Sequence, residues 1–188
     1  GVTERINAEG EVIVELDQEC AVDAIQMAVE QNCNAIAVSL LWSHVNPTHE
    51  QQIASLIEEH APNLNYSLSH QVNPVIREYR RTSATAIDAS LKQPIAGYLA
   101  RLRTRLEDSG FEKEPLLITA NGGVMQFEGV AELPIWSVDS GPTMLPSAGM
   151  KISRYESGRE TPNVISLDMG GTSLDMSLIR GGDISRTR

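Results

Sequence analysis

Asp168 and Asp175 bracket Gly170, Gly171, Thr172 and Ser173 in the stretch VISLDMGGTSLDMSLI. Glycine tolerates positive φ, and without a Cβ it lets main chain come close to a ligand. Successive N–H groups in such a turn can converge on one point and hold an anion. Thr172 and Ser173 add hydroxyl donors. Asp168 repels phosphate directly, so the chemistry that suits it is a Mg²⁺ ion, or that ion's water shell, between carboxylate and phosphate. Asp175 can do the same, or can fix the turn by accepting N–H bonds. On spacing alone the stretch also reads as a tight hairpin whose two aspartates cap their own backbone.

Leu174, Met176 and Leu178 alternate with Asp175 and Ser177, the period of a strand. The stretch therefore reads strand, glycine turn, strand, with a second turn at Gly181-Gly182. It is not a Walker P-loop, because the Gly-x-x-x-x-Gly-Lys spacing is absent and no helix follows. PLLITANGG, LPIWSVDSGP and NVISLDMGG each read as an apolar strand ending in a glycine-containing turn. Three such endings suggest one sheet edge where loops gather, the place where open α/β sheets bind ligands. Asn121-Gly122-Gly123 is placed at that edge by this reading, with an ordinary loop as the alternative.

The elements that position these residues are read from periodicity. ERINAEGEVIVELD reads as a hairpin turning at Glu9-Gly10, with Val12, Val14 and Leu16 on one face. CAVDAIQMAVEQN reads as a helix carrying Val22, Ile25, Met27 and Val29. NAIAVSLLW is a short apolar run suited to a buried strand. VNPTHEQQIASLIEEH starts a helix with Asn46 as N-cap, Pro47 at the first helical position and Ile53, Leu56 and Ile57 as its stripe. NYSLS is a strand, so strand and helix alternate and parallel pairing is expected. Asn73-Pro74 is expected to open the next helix, Pro94 to break or restart it, and Gly110 to stop it. SRYESGRETP is the candidate loop.

Composition bounds the function. The 188 residues are 41% hydrophobic and 21% charged, which describes a packed globule. A formal net charge of -10 disfavours nucleic acid and anionic membrane surfaces as partners. Cys20 and Cys33 lie in no metal-binding spacing and read as free buried thiols. With no bilayer-length apolar run and no signal peptide, the expected location is the cytoplasm. His44, His49, His60 and His70 show no H-E-x-x-H spacing and read as caps or surface residues. Arg77 and Arg81, one helical turn apart, read as a solvated or ion-paired helix face rather than a clamp for a substrate carboxylate or phosphate.

DMGGTSLDMSLI resembles the second phosphate motif of the hydantoinase A and 5-oxoprolinase family. SLLWSHVNPTHEQQIASLIEE, LSHQVNPVIREYRRTSATAIDASLKQPIAGYL, TANGGVM and VDSGP resemble that family's segments in the same order, over most of the chain. The resemblance implies a fragment of the two-lobed, actin-like ATPase architecture (ribonuclease H-like), an α/β fold with a mixed sheet and helices packed on it. Residues 1–72 would complete the first lobe, 73–110 would supply connecting helices, and 111–188 would begin the second lobe with its phosphate turn. The first residue is Gly1, and the family's other glycine-threonine phosphate turn is not found, so an interior piece of a longer subunit is expected.

The resemblance further implies an ATP-dependent cyclic amidohydrolase that phosphorylates an amide or carbonyl oxygen so that a lactam or imide ring can open. ATP and Mg²⁺ would be the cofactors. A small cyclic amide would be the substrate, and a second, hydantoinase B-like subunit or domain the partner. Gly170, Gly171, Thr172 and Ser173 would hold phosphate, joined by Gly122 and Gly123. Asp168 would serve Mg²⁺, with Asp175 as a second catalytic carboxylate. The related ATP-dependent acetone and acetophenone carboxylases carry the same motifs and form the alternative; a non-catalytic, ATP-gated protein of the actin or chaperone kind is a third. The sequence departs from the family after Ser140-Gly141-Pro142, where TMLPSAGM replaces a run of small residues. No ligand contact is assigned there.

Overall fold

The computed structural model describes residues 1–184 of the chain. The chain divides into two compact units. Unit 1 comprises Gly1–Lys113 with Glu128–Ile135, and unit 2 comprises Glu114–Phe127 with Trp136–Arg188.

Unit 1 opens with the expected hairpin, β1 (Arg5–Ile6) antiparallel to β2 (Val12–Val14). Gly10 turns it at φ 85°, and the Asn7 side chain accepts from the Glu9 and Glu11 amides. α1 (Gln18–Glu30) is capped by Asp17, which accepts from the Cys20 amide. Its buried residues are Ala21 and Ile25, while Met27 and Val29 are exposed. The inward face is thus set one step away from the stripe read in the sequence. β3 (Ala35–Val38) and β4 (Asn65–Leu68) pair in parallel, Ala35 opposite Asn65 and Val38 opposite Leu68. α2 (Thr48–His60) is the crossover between them; its N-cap is Pro47, one residue later than expected, while Asn46 Oδ1 accepts from the Thr48 amide just ahead of the first turn. Ile53 and Ile57 of α2 join Leu16, Ile25, Val38 and Leu68 in one apolar core. The Tyr66 hydroxyl donates to Glu58 at 2.6 Å, and that bond, with partial burial, pushes the phenol up to about 12.

α3 (Ser69–Val72) follows β4 directly, and α4 (Glu78–Asp108) packs against β3 and β4. Asn73-Pro74 does not open α4. The loop runs on to Arg77, which sits at φ 78°, and the helix begins at Glu78. Nor does Pro94 break α4, which continues through it for 31 residues. Pro94 is exposed, so the Ser90 carbonyl that loses its helical partner faces water rather than a dry core. Gly110 stops the helix as expected. Its amide bonds the Glu107 carbonyl, and the Phe111 amide bonds the Leu106 carbonyl, the two bonds of a Schellman motif. α5 (Phe127–Glu132) and a 3₁₀ turn (Pro134–Ser137) follow later in the chain.

Unit 2 holds two separate antiparallel sheets. β5 (Leu116–Ile118) pairs with β6 (Val124–Gln126). β7 (Val164–Met169) pairs with β8 (Leu174–Arg180), and β8 with β9 (Asp183–Ile184). α6 (Ser140–Thr143) and α7 (Leu145–Ser157) lie between the sheets in sequence. The expectation of three strands sharing one edge does not hold. LPIWSVDSGP forms the 3₁₀ turn and α6 instead of a strand, because the Ile135 amide is taken by the Asp88 carboxylate and Asp139 adopts a left-handed conformation at φ 52°. Among the described residues no single mixed sheet forms; there are four small sheets, one of them parallel. Half of the candidate loop SRYESGRETP is the end of α7, which stops at Gly158. Both cysteines are free, but neither is buried as expected: Cys20 is half-buried and Cys33 exposed. No helix among the described residues is long and apolar enough to cross a membrane.

Candidate functional site

The strand–turn–strand reading of residues 164–180 holds in register. Asp168 pairs with Asp175 and Met169 with Leu174, leaving Gly170–Ser173 as the connection. One face of the hairpin, with Val164, Ser166, Ser177 and Ile179, turns toward α7, and Ser166 and Ile179 are buried. The period of two then puts Asp168 and Asp175 on that same face at the turn end. The opposite face carries Ile165, Leu167, Met169, Leu174, Met176 and Leu178, all exposed.

The turn itself is open. The Gly170 amide donates to the Ser173 carbonyl at 3.0 Å. The Gly171, Thr172 and Ser173 amides have no partner among the described residues, and all four residues are exposed. Neither glycine takes the positive φ expected of it. A Cβ on Gly170 would meet the Ser173 carbonyl oxygen only at an ordinary 3.7 Å, and one on Gly171 would meet nothing within 4 Å. The fold itself therefore requires no glycine at either position. What a bare Cα offers here is room for an approaching group.

Asp168 and Asp175 face one another across the ladder, an arrangement that is unfavourable for two like charges unless something positive joins them. Neither is in an ion pair among the described residues; Ser173 Oγ contacts Asp175 Oδ2 at 3.4 Å. The donor set fits a divalent cation that keeps several waters, as Mg²⁺ does, with one or two carboxylates and a phosphate completing its shell. No group of three potential metal ligands occurs among the described residues, so a closed all-protein cage is not the form it would take.

Gly122 and Gly123 differ from this. The Gly122 amide bonds the Thr119 carbonyl, the Gly123 amide bonds Asn121 Oδ1, and Gly122 sits at φ 81°. These glycines serve the β5–β6 turn itself, and their amides are already used.

The residues that sequence reasoning missed lie in unit 1. Arg81 is fully buried. Its Nε donates to Ser69 Oγ (3.0 Å), Nη1 to the Val75 carbonyl (2.8 Å) and Nη2 to the Leu40 carbonyl (2.7 Å). Glu50 is also fully buried, and accepts from Ser69 Oγ, the Leu40 amide, the His70 amide and His70 Nδ1. Arg81 is therefore not a solvated helix face. Its charge is balanced by Glu50 through a shared serine. Asp88, buried too, accepts from Ser67 Oγ and the Ile135 amide. A signal was present: the buried positions 81, 85, 88 and 89 of α4 have core spacing, yet hold Arg, Thr, Asp and Ala. A core face written in polar residues predicts a hydrogen-bonded network.

The model of the hydantoinase/oxoprolinase family matches residues 81–188, and that of the hydantoinase/oxoprolinase N-terminal region matches residues 1–61. The chain belongs to the hydantoinase/oxoprolinase family. It is 34% identical over 178 residues to the caprolactamase subunit alpha of Pseudomonas jessenii, covering 95% of this chain and 25% of that protein. It is 32% identical to the acetophenone carboxylase gamma subunit of Aromatoleum aromaticum, over 95% of this chain and 24% of that subunit. The crystal structure of the ATP-dependent caprolactamase from Pseudomonas jessenii superposes with a TM-score of 0.85 and 33% identity, over 94% of this chain and 25% of that one. The chain thus spans about a quarter of the length of these relatives.

Proposed function

We propose that this chain is part of an ATP-dependent enzyme that activates a cyclic amide by phosphorylating its oxygen, and that Gly170–Ser173 hold the nucleotide's phosphates. The observation that carries this reading is the turn of unit 2. Among the described residues three consecutive amides lack partners, a Cβ on either glycine would meet no clash, and two opposed carboxylates stand beside them. Membership of the hydantoinase/oxoprolinase family and likeness to an ATP-dependent caprolactamase support it. The architecture it implies is the two-lobed, actin-like ATPase fold.

The amides of Gly171, Thr172 and Ser173 bind and orient phosphoryl oxygens. Their advantage over side chains is that a turn fixed by its own ladder needs little reorganisation as charge shifts. Asp168, with Asp175 opposite, would hold Mg²⁺, which when bound supplies neutralisation of phosphate charge. Gly122 and Gly123 line the β5–β6 turn and contribute no N–H to this reading. The reaction would turn a poor leaving group into a good one: the amide oxygen takes the γ-phosphoryl, and water then opens the ring. A hydantoinase B-like subunit or domain is the proposed partner, and the cytoplasm the proposed location.

Asp168→Ala in the full-length protein with its partner subunit is expected to abolish lactam-stimulated ADP release while leaving the fold intact by circular dichroism. Wild-type turnover of that variant would remove Asp168 from the site. The likeness to an acetophenone carboxylase subunit favours a second reading, in which the activated carbonyl belongs to a ketone. Stimulation of ADP release by ketone plus bicarbonate, and not by lactams, hydantoins or 5-oxoproline, would select it.

A further inference from the structure

Two histidines of unit 1, His49 and His70, are hydrogen-bonded through Nδ1 to a glutamate, and they differ at Nε2. His49 Nδ1 meets Glu4 Oε2 at 2.8 Å, and its Nε2 is buried without a hydrogen-bond partner, 3.9 Å from Glu15 Oε2. His70 Nδ1 meets Glu50 Oε2 at 2.7 Å; its Nε2 has no protein partner among the described residues and is not among the sealed atoms. Its side chain is 13% exposed, against 1% for His49. The His49 pair is closed, and the His70 pair opens outward through one nitrogen.

The surroundings of His70 fix that nitrogen's character. Glu50 is held on both oxygens by Ser69 Oγ, the Leu40 amide and the His70 amide, so it cannot rotate away. Ser69 gives its hydrogen to Glu50, and therefore accepts from both Arg81 Nε and Ser43 Oγ, 3.0 Å away in each case. A carboxylate only accepts, so in the neutral ring Nδ1 carries the hydrogen and Nε2 keeps its lone pair. The charged and titratable groups facing this cluster are Glu50 from α2, Arg81 from α4 and His44 from the loop after β3, whose Nδ1 lies 3.4 Å from Arg81 Nη1. Ser69 and His70 directly follow β4, and Leu40 lies just past β3. The cluster thus sits at the carboxyl end of the parallel pair, the end at which open α/β sheets bind ligands.

We propose that His70 is a general base for an N–H-bearing substrate, with Glu50 as its positioning residue. The substrate class rests on the function proposed above; the site does not. When an amide oxygen takes the phosphoryl group of ATP, an O–P bond forms and the P–O bond to ADP breaks. The amide nitrogen must then lose its proton. The N–H electron pair becomes the C=N bond of an imidate phosphate, whose nitrogen is then neutral, and the proton moves to His70 Nε2. The resulting imidazolium is stabilised by the Glu50 carboxylate on its other nitrogen.

Two measurements on the full-length protein with its partner subunit decide this. The first is acylation by diethyl pyrocarbonate, which attacks accessible neutral imidazole nitrogen, followed by peptide mapping. His70 is expected to react while His49 stays unmodified, and Glu50→Gln is expected to slow the reaction at His70. An unreactive His70 overturns the site whatever the substrate is. The second uses His70→Asn, whose side-chain amide can still donate to Glu50. It should lower amide-stimulated ADP release at least about a hundredfold, with the melting temperature and ATP affinity unchanged. His70→Ala should be partly rescued by added imidazole. If His70→Asn turns over within threefold of wild type, the base assignment is overturned. If His70 is reactive but no amide stimulates ADP release in the wild type, the amide reading fails and the site stands for another proton donor.

Discussion

The two units use polar residues in opposite ways. In unit 1 a charged cluster is buried and, apart from the outward-facing His70 Nε2, its groups close on one another: Arg81 on two carbonyls and a serine, Glu50 on four donors. In unit 2 the glycine turn leaves three exposed amides without a partner among the described residues, beside two opposed carboxylates. Buried polar groups that satisfy one another specify a structure, because any other arrangement strands a charge in low dielectric. Exposed amides that nothing satisfies specify little about the fold, and water covers them at small cost until a ligand arrives. Arg81 should therefore be a stability residue whose loss is felt throughout unit 1. Gly171 should be a binding residue whose loss the fold hardly registers.

The largest effect expected from breaking this contrast is at Arg81. Arg81→Met removes the countercharge while Glu50 stays buried, and should destabilise the protein by about 3–5 kcal/mol, read by urea unfolding followed by circular dichroism. Adding Glu50→Gln should recover part of that loss, since no charge then remains to be stranded. A double variant as unstable as the sum of the two singles would mean that the groups are not coupled.

This contrast also explains what could be read from the sequence. The hairpins, the parallel strand pair, the α2 stripe and the stop at Gly110 were legible, because each rests on local periodicity or a local cap. The glycine turn was placed correctly between its strands for the same reason. What was not legible depends on partners far along the chain. LPIWSVDSGP has a strand's apolar content, but the Ile135 amide is claimed by Asp88, 47 residues earlier. Pro94 reads as a break or restart of its helix; whether it is one turns on the solvent exposure of the orphaned carbonyl, which only tertiary structure sets. Arg81 was assigned to the surface because arginine usually lies there, although its i, i+4, i+7 companions Thr85 and Asp88 mark a buried face.

Within unit 2 a second glycine sharpens the contrast at intermediate size. Gly149 of α7 packs so tightly on β7 that an added Cβ would lie 1.9 Å from Ser166 Oγ and 3.2 Å from Ser166 Cβ. Gly149→Ala should cost about 1–3 kcal/mol in thermal or urea unfolding. Ser166 Oγ is buried without a partner, so Ser166→Ala alone should be neutral or slightly stabilising. Combined with Gly149→Ala it should restore only part of the loss, because the contact to Cβ remains. Full recovery would show that the hydroxyl alone sets the spacing between α7 and the sheet.

The smallest expected change in stability is at Gly171, and it tests the reading of unit 2 most directly. Its backbone is not in the left-handed region, and a Cβ there meets nothing within 4 Å. Gly171→Ala should therefore leave stability unchanged or raise it by up to about 1 kcal/mol, since alanine has fewer unfolded conformations to lose. The added methyl would nevertheless stand where the main chain is left bare for a phosphate. In the full-length protein, ATP affinity by calorimetry should fall at least about tenfold, a difference of about 1.4 kcal/mol. Gly149→Ala is the control: it should lower stability, and any loss of nucleotide binding should follow unfolding. If Gly171→Ala binds ATP as well as wild type, the free amides of the turn are ordinary solvated backbone. The phosphate would then have to be held elsewhere in the parent protein.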